Sequence, residues 1–362
     1  MTDAFCGLGR KLLVALALGL ATVPAALSSS GPPDSVSSQF PARCQPTPEG
    51  TRSPARPRPA AGHWRREPPA PIPREELKGA TVGRLAYLVG GLKQDATSPQ
   101  DESTAIVLAY DPARKRYRRT PDLPEPLDHV VPIAYRGALY VIGGYSNRQP
   151  RASMWRYSPR TKRWRSLPAM GLARGAAGGA RIGHRLYVVG GSDERGLDSR
   201  PLSRLEVYDF RKRRWRRGPS MPTPRHHVEA VALGGKLYAI AGRGRDDASL
   251  ATVEAYDPRR RRWKRLPDLP LGVGGPAATV AAGRIVVSGG GDFRQHWVTP
   301  AVWALDPETP RWRRLPDLER ARHAHAAATL DDRTYVFGGA LCDNSRGSKI
   351  AGSRSAESLH VR

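Results

Sequence analysis

The sequence is poor in the features that make a chain helical, membrane-spanning or heavily cross-linked. After residue 30 no long stretch carries helical periodicity, so a helical bundle is excluded as the main architecture. The one long apolar run, Leu12–Val23, is shorter than the about 20 residues a membrane helix needs. Cysteine is scarce: Cys6, Cys44 and Cys342 are the only three. Cys6 precedes the apolar run, so no cysteine stands where a lipoprotein signal needs one. Acids are also in deficit, 33 Asp and Glu against 59 Lys and Arg, for a net charge of +26. That imbalance favours anionic partners such as nucleic acid, anionic lipid or acidic polysaccharide. A plainer source is a general bias toward arginine, which outnumbers lysine here and aids solubility.

Turn formers are plentiful, with 37 Gly and 34 Pro. They suit an all-β chain of many short strands, and 362 residues suffice for a sizeable core. At the N-terminus, Arg10 and Lys11 precede the apolar run, and Val23 and Ala25 stand at −3 and −1 of a signal-peptidase cut. Residues 1–27 are therefore expected to direct export to a secreted, periplasmic or cell-envelope location; an uncleaved N-terminal membrane anchor is the alternative. Residues 28–62, rich in Pro, Ser and Arg, read as a disordered linker. Removing the signal leaves Cys44 and Cys342, an even count that permits one disulfide.

Residues 63–362 are internally repetitive. Apolar segments ending in a glycine pair recur six times, at Gly90-Gly91, Gly143-Gly144, Gly190-Gly191, Ala241-Gly242, Gly289-Gly290 and Gly338-Gly339. Between them lie Tyr-Asp-Pro-like triplets with an aromatic seven residues on: Tyr110/Tyr117, Tyr157/Trp164, Tyr208/Trp215, Tyr256/Trp263 and Leu305/Trp312. Each marker aromatic precedes the next glycine pair by 26 residues, and Trp64 to Gly90 obeys the same spacing. The other half of each repeat varies from 21 to 27 residues, which confines insertions to one loop per repeat.

The double glycine, the Tyr-Asp and the spaced Trp resemble the kelch repeat, a four-stranded propeller blade. The resemblance implies a six-bladed kelch β-propeller with four antiparallel strands per blade. The segments before the glycine pairs are apolar on both alternating faces, as strands sandwiched between blades are. The last glycine pair is followed by a candidate third strand, Glu357 to Arg362, but by no fourth. The orphan Trp64 is therefore expected to bring an N-terminal strand into the last blade and close the ring. Cys342 lies near that glycine pair and Cys44 lies 20 residues before Trp64. At about 3.3 Å per extended residue the linker can reach, and a Cys44–Cys342 bridge is expected.

In kelch propellers, ligand sites usually lie around the central channel, on the face shared by the loops that enter the first strands and those that join second to third strands. Ten residues past each marker aromatic stand Arg74, Arg174, Arg225 and Arg322, with Leu127 and Val273 in the other two blades. Twelve past stand His129 and His227, with His226, His323 and His325 close by. An Arg/His ring at the channel mouth suits a carboxylate or phosphate. The competing reading makes these residues scaffold, bonded to neighbouring carbonyls. The second-to-third loops hold Asp95, Asp101, Glu102, Asp193, Glu194, Asp246, Asp247 and Asp292, none in calcium-loop spacing; no metal site and no cofactor are expected. Trp297, with Phe293 and His296, either forms a sugar-stacking platform or packs against its own blade.

The opposite face is intensely basic. Residues 114–119, 160–165, 211–217, 259–265 and 311–314 hold five, four, six, six and three cations, twenty-four in all. The expected partner is an anionic polymer, an acidic sugar or a protein, with membrane-surface contact possible in principle and a monomeric chain. Specific nucleic-acid binding is not expected, because such readers interleave exposed aromatics with charge and these Trp residues belong to the blades. No catalytic residue is assigned, so the expected function is an exported, non-catalytic binding propeller for an anionic or carbohydrate ligand of the cell envelope. The alternative is a carbohydrate-active enzyme resembling the sialate mutarotases (epimerases), exported six-bladed kelch proteins that match this chain in size, export signal and blade number; their catalytic residues are not assigned to positions here. Copper radical oxidases of the same repeat need a Tyr–Cys crosslink, and Cys44 and Cys342 lie away from any copper site.

Overall fold

A segment buried on both faces must have apolar side chains at odd and even positions alike, and Leu186–Val189 has them, each at 0–2% exposure. In this computed structural model, which describes residues 62–95, 98–195, 199–341 and 351–361, such segments form the second strand of each of six blades. The first blade consists of Lys78–Val82, Leu85–Val89, Val107–Asp111 and Arg116–Arg119. The second is Val131–Tyr135, Ala138–Ile142, Met154–Ser158 and Arg163–Leu167. The third is Gly178–Ile182, Arg185–Val189, Leu205–Asp209 and Arg214–Arg217. The fourth is Glu229–Leu233, Lys236–Ile240, Val253–Asp257 and Arg262–Arg265. The fifth is Ala277–Ala281, Arg284–Ser288, Val302–Asp306 and Arg311–Leu315. The sixth runs Ala326–Leu330, Arg333–Phe337 and Ala356–His360, and its outer strand is the N-terminal Arg65–Glu67. All pairings within the blades are antiparallel, and each innermost strand packs against the next around a central channel.

The ring closes as the orphan Trp64 requires. Arg65, Arg66 and Glu67 pair with Ser358, Glu357 and Ala356. Trp64 is buried and its indole Nε1 donates to the Pro316 carbonyl of the fifth blade at 2.8 Å. The same bond recurs around the ring. Trp164 donates to Pro121 O, Trp215 to Pro168 O, Trp263 to Pro219 O and Trp312 to Pro267 O, while the Tyr117 hydroxyl donates to Pro68 O. Each proline stands four residues after the marker aromatic of the preceding blade, so six such bonds run from blade to blade and return.

A second cyclic set explains the glycine pairs. The amide of the second glycine donates to the carbonyl ten residues past its own blade's marker, at the entry to the next blade: Gly91 to Leu127, Gly144 to Arg174, Gly191 to Arg225, Gly242 to Val273, Gly290 to Arg322 and Gly339 to Arg74, all at 2.8–3.0 Å. The backbones approach so closely that a Cβ on Gly90 would meet the Leu127 carbonyl oxygen at 2.1 Å. Its φ of +58° is in the left-handed region that glycine tolerates. The fourth blade keeps that conformation at Ala241, φ +55°, fully buried.

The core lies between blades. One apolar cluster joins Val89 and Val107 of the first blade to Leu139, Val141 and Tyr157 of the second, and another joins Trp64, Val336 and Leu359 of the sixth to Val286, Val302 and Leu315 of the fifth. Among the described residues no helix is long and apolar enough to cross a membrane. Residues 1–61, with Cys44, and Cys342 lie outside the described residues, so the expected signal, linker and disulfide are not among them.

Candidate functional site

The four arginines ten residues past the markers are turned into their own blades. Arg74, Arg174, Arg225 and Arg322 are 0–1% exposed. Arg174 is bonded to Glu206, Arg225 to Glu254 at 2.9 Å and Arg322 to Glu357 at 2.7 Å. Each glutamate is the second residue of the third strand of the same blade. The guanidinium groups also donate to carbonyls near the glycine pair: Val188, Ala239 and Gly338. Arg74 donates to Gly90 O and Ile106 O, and its blade offers Leu108 where the others offer Glu. Its Nε and Nη2 have no partner. Burial, and then Arg119 nearby, lower the Arg74 pKa to about 10. These side chains brace the blades from within.

The histidines behave differently. Twelve residues past each marker, the chain of all six blades takes a left-handed residue: Glu76, His129, Ala176, His227, Gly275 and Ala324, with φ between +49° and +60°. The His129 amide donates to Glu76 O, Ala176 to His129 O and Ala324 to Gly275 O, which ties neighbouring blades at this level. Three of the six positions carry large polar side chains, and these meet near the axis. His129 Nε2 lies 3.1 Å from Glu76 Oε2 and 3.0 Å from His227 Nε2; His227 Nε2 lies 3.9 Å from Glu76 Oε1. Burial opposes charge on Glu76, but His129 more than offsets it and holds the carboxyl well below its usual range. Burial likewise opposes charge on His129, and Glu76 and Asp128 outweigh it and raise that imidazole.

Around this group, Asp128 Oδ1 accepts from His129 Nδ1 at 2.5 Å, and its other oxygen accepts from Ser103 and Arg195. His226 sits against His227, and its Nε2 faces Ser199 Oγ at 3.2 Å and Asp247 at 3.5 Å. Arg243 stacks on Phe293, which meets His323 edge-on at 5.0 Å. His325 is fully buried against Ser288 Oγ. One level deeper, Lys78 and Glu229 form an ion pair across the channel between the first and fourth blades. Burial works against the ammonium, but Glu229 outweighs it and Lys78 titrates above its ordinary value.

Trp297 is only 5% exposed and packs in the core between the fourth and fifth blades, so it is not a platform; Phe293, half-buried beside Arg243, is the aromatic nearer the mouth. Of the loop acids, Asp193 and Asp247 pair with Arg200 and Arg243, and Asp292 accepts backbone amides of its own turn. Counting along the chain located His129 and His227 but passed over Glu76, although the same offset of twelve reaches it from Trp64. Asp128 and Arg243 carry no repeat signal.

On the opposite face the basic hairpins are exposed along blades one to five. The fourth strands alternate: Arg214 and Arg216 face water while Trp215 between them is half-buried. In the second blade Arg156, Ser158, Arg160, Thr161, Arg163 and Arg165 line a cavity of about 210 Å3.

A closed six-bladed β-propeller with a recessed polar mouth and a cationic opposite face is the class these features define. The chain belongs to the kelch-repeat family: the family described as KLHDC2/KLHL20/DRC7 Kelch-repeats domain matches residues 134–339. Kelch-like protein terF of Aspergillus terreus is 28% identical over 190 residues, 51% of this chain and 41% of that protein. Kelch-like protein 41a of Danio rerio is 31% identical over 185 residues, 51% of this chain and 30% of that protein. The match thus spans less than half the length of these relatives. A solved structure titled "Structure of YjhT" superposes with a TM-score of 0.65 at 17% identity, covering 80% of this chain and 95% of that one, a likeness of fold. Family membership supports a binding or interaction propeller.

Proposed function

We propose that the chain is an exported, non-catalytic binding propeller that holds an acidic polymer of the cell envelope on the face opposite the channel mouth. One observation carries the reading: the twenty-four cations of the outer hairpins stand on five consecutive blades, all but Arg314 exposed, with no acid inside those segments; the nearest acids lie in the flanking turns. The acids do not cancel them. Asp111, Asp122, Asp257, Asp268 and Asp317 each pair with an arginine of their own hairpin. A regular polyanion meets such an arc with many contacts, and release of its counterions favours the complex. The arginine-lined cavity of the second blade, with Ser158 and Thr161, has the donors to fix one carboxylate or phosphate of that polymer. The N-terminal pattern of Arg10, Lys11 and Leu12–Val23 supports export.

The test is binding of the full chain to teichoic acid and to a polyuronate across a salt series. Affinity should fall steeply with salt. Changing Arg214, Arg216, Arg262 and Lys264 together to Gln should weaken binding at low salt and flatten the salt dependence, with the melting temperature kept. Salt-insensitive binding, or no binding at low salt, contradicts the reading.

A further inference from the structure

The proton count in the channel mouth leaves an imbalance. His129 Nδ1 faces the Asp128 carboxylate at 2.5 Å, and an ionised carboxylate only accepts hydrogen bonds, so Nδ1 is the donor. Asp128 is itself fixed by Ser103 and Arg195. With its proton on Nδ1, neutral His129 has a lone pair on Nε2. The same logic runs in from the other side. His226 Nε2 faces Ser199 Oγ and the Asp247 carboxylate, which makes Nε2 its donor and leaves Nδ1 as acceptor. His227 Nδ1 lies 2.5 Å from that acceptor and must supply the proton. His227 therefore also has a lone pair on Nε2. The two Nε2 atoms face each other at 3.0 Å, and the Glu76 carboxylate completes the triangle at 3.1 and 3.9 Å. With both imidazoles neutral, two lone pairs and a carboxylate converge in the recess, and they call for a cation, either one added proton or a metal ion.

We propose that Glu76, His129 and His227 form a site for a divalent first-row transition metal of the zinc class, on the channel axis. The chemical class follows from the donors. Two imidazole nitrogens and one carboxylate oxygen suit zinc and its neighbours, whereas calcium and magnesium take all-oxygen sets. The spacing fits too. Bonds of about 2.0–2.1 Å in a tetrahedron place donor atoms about 3.3 Å apart, and the three donor atoms all lie within 4.8 Å of one another.

The surroundings match what a metal-bound histidine needs. Asp128 fixes His129 in the ligating tautomer, as an outer-shell carboxylate does, and His226 does so for His227. The backbone points the same way: three blades place Ala or Gly at this left-handed position, while these three place Glu or His there. That conformation disfavours any side chain, so the placement is explained by what the side chains do. Three protein ligands leave a fourth position for water or a ligand atom. The site lies on the opposite face from the basic hairpins, so it stands or falls independently of the polymer-binding reading.

The experiment uses the full chain, stripped with a chelator and titrated with zinc by calorimetry and with cobalt by visible absorption. The expected result is one ion per chain. His227→Gln and Glu76→Gln should each weaken zinc binding about 100-fold or more. Asp128→Asn, removing only the outer carboxylate, should weaken it about 10–100-fold, and His360→Ala, an exposed histidine, should leave it unchanged. Circular dichroism without metal reports whether each variant is folded. If a variant is not, X-ray absorption of the zinc-loaded wild type decides, with two imidazoles and one carboxylate expected around the ion. No stoichiometric uptake would mean that a proton resolves the facing nitrogens, and it overturns the proposal. So does uptake that all variants share, or a different ligand set.

Discussion

Two arginines at equivalent positions show how much a single partner decides. Arg225 is fully buried with Glu254 beside it, and Arg74 is equally buried with Leu108 in that place. Removing one member of a buried pair strands the other, so Arg225→Ala should cost about 3–5 kcal/mol in chemical denaturation. Arg74→Met strands no charge and should change stability by about 1 kcal/mol or less, or raise it. Equal losses at the two sites would refute this division. The position of the arginines was legible from the spacing, but their direction was not, because distance along the chain does not say which way a side chain turns. The readable clue was the glutamate: Glu206, Glu254 and Glu357 appear in three of the four blades with an arginine, and Trp155 and Trp303 stand in their place where the tenth residue is Leu127 or Val273.

The buried histidines set an acid limit at the same scale. Burial holds His323 down to about 4, against an opposing pull from Glu76 and with help from Arg243 and His129. Burial, Arg322, Lys78 and His323 push His325 well below its ordinary value, again against Glu76. Both are neutral in the fold and take a proton near 6.5 when unfolded. Below that pH the unfolded chain binds more protons, so stability falls as pH drops from about 7 toward 4. The melting temperature should be lower at pH 5 than at pH 7, and His325→Asn should narrow the gap. A melting temperature that is flat or rising on acidification contradicts this account.

At the scale of the element, Arg65–Glu67 is only three residues long, yet it covers the edge of the sixth blade and carries in Trp64. Trp64→Ala removes a buried indole and its bond to Pro316, and should cost about 3–5 kcal/mol. Trp64→Phe keeps most of the packing and should cost less. A melting curve unmoved by Trp64→Ala would show that the strand does not close the ring. This strand was legible because a repeat leaves a remainder: Trp64 had the right spacing to a glycine pair and no blade of its own. The bounds of its partner were less so, expected from Glu357 and found from Ala356. The proline four residues past each marker was in plain view, but its carbonyl finds a partner only in the next blade, and spacing within one repeat does not reveal a bond between two.

For the whole molecule, the ring of cyclic bonds holds apart two faces, a recessed mouth where Glu76, His129 and His227 meet and a broad basic face. The six blades and their order could be read from the repeat; the convergence at the mouth could not, since it joins the first, second and fourth blades across the axis. The central proposal is that the basic face receives an acidic polymer, and hydrogen exchange of the full chain with and without teichoic acid at low salt tests it directly. The account predicts slowed exchange in the hairpins around 114–119, 160–165, 211–217 and 259–265, with the mouth segments around 127–129 and 225–227 unchanged. Protection confined to the mouth segments would contradict it.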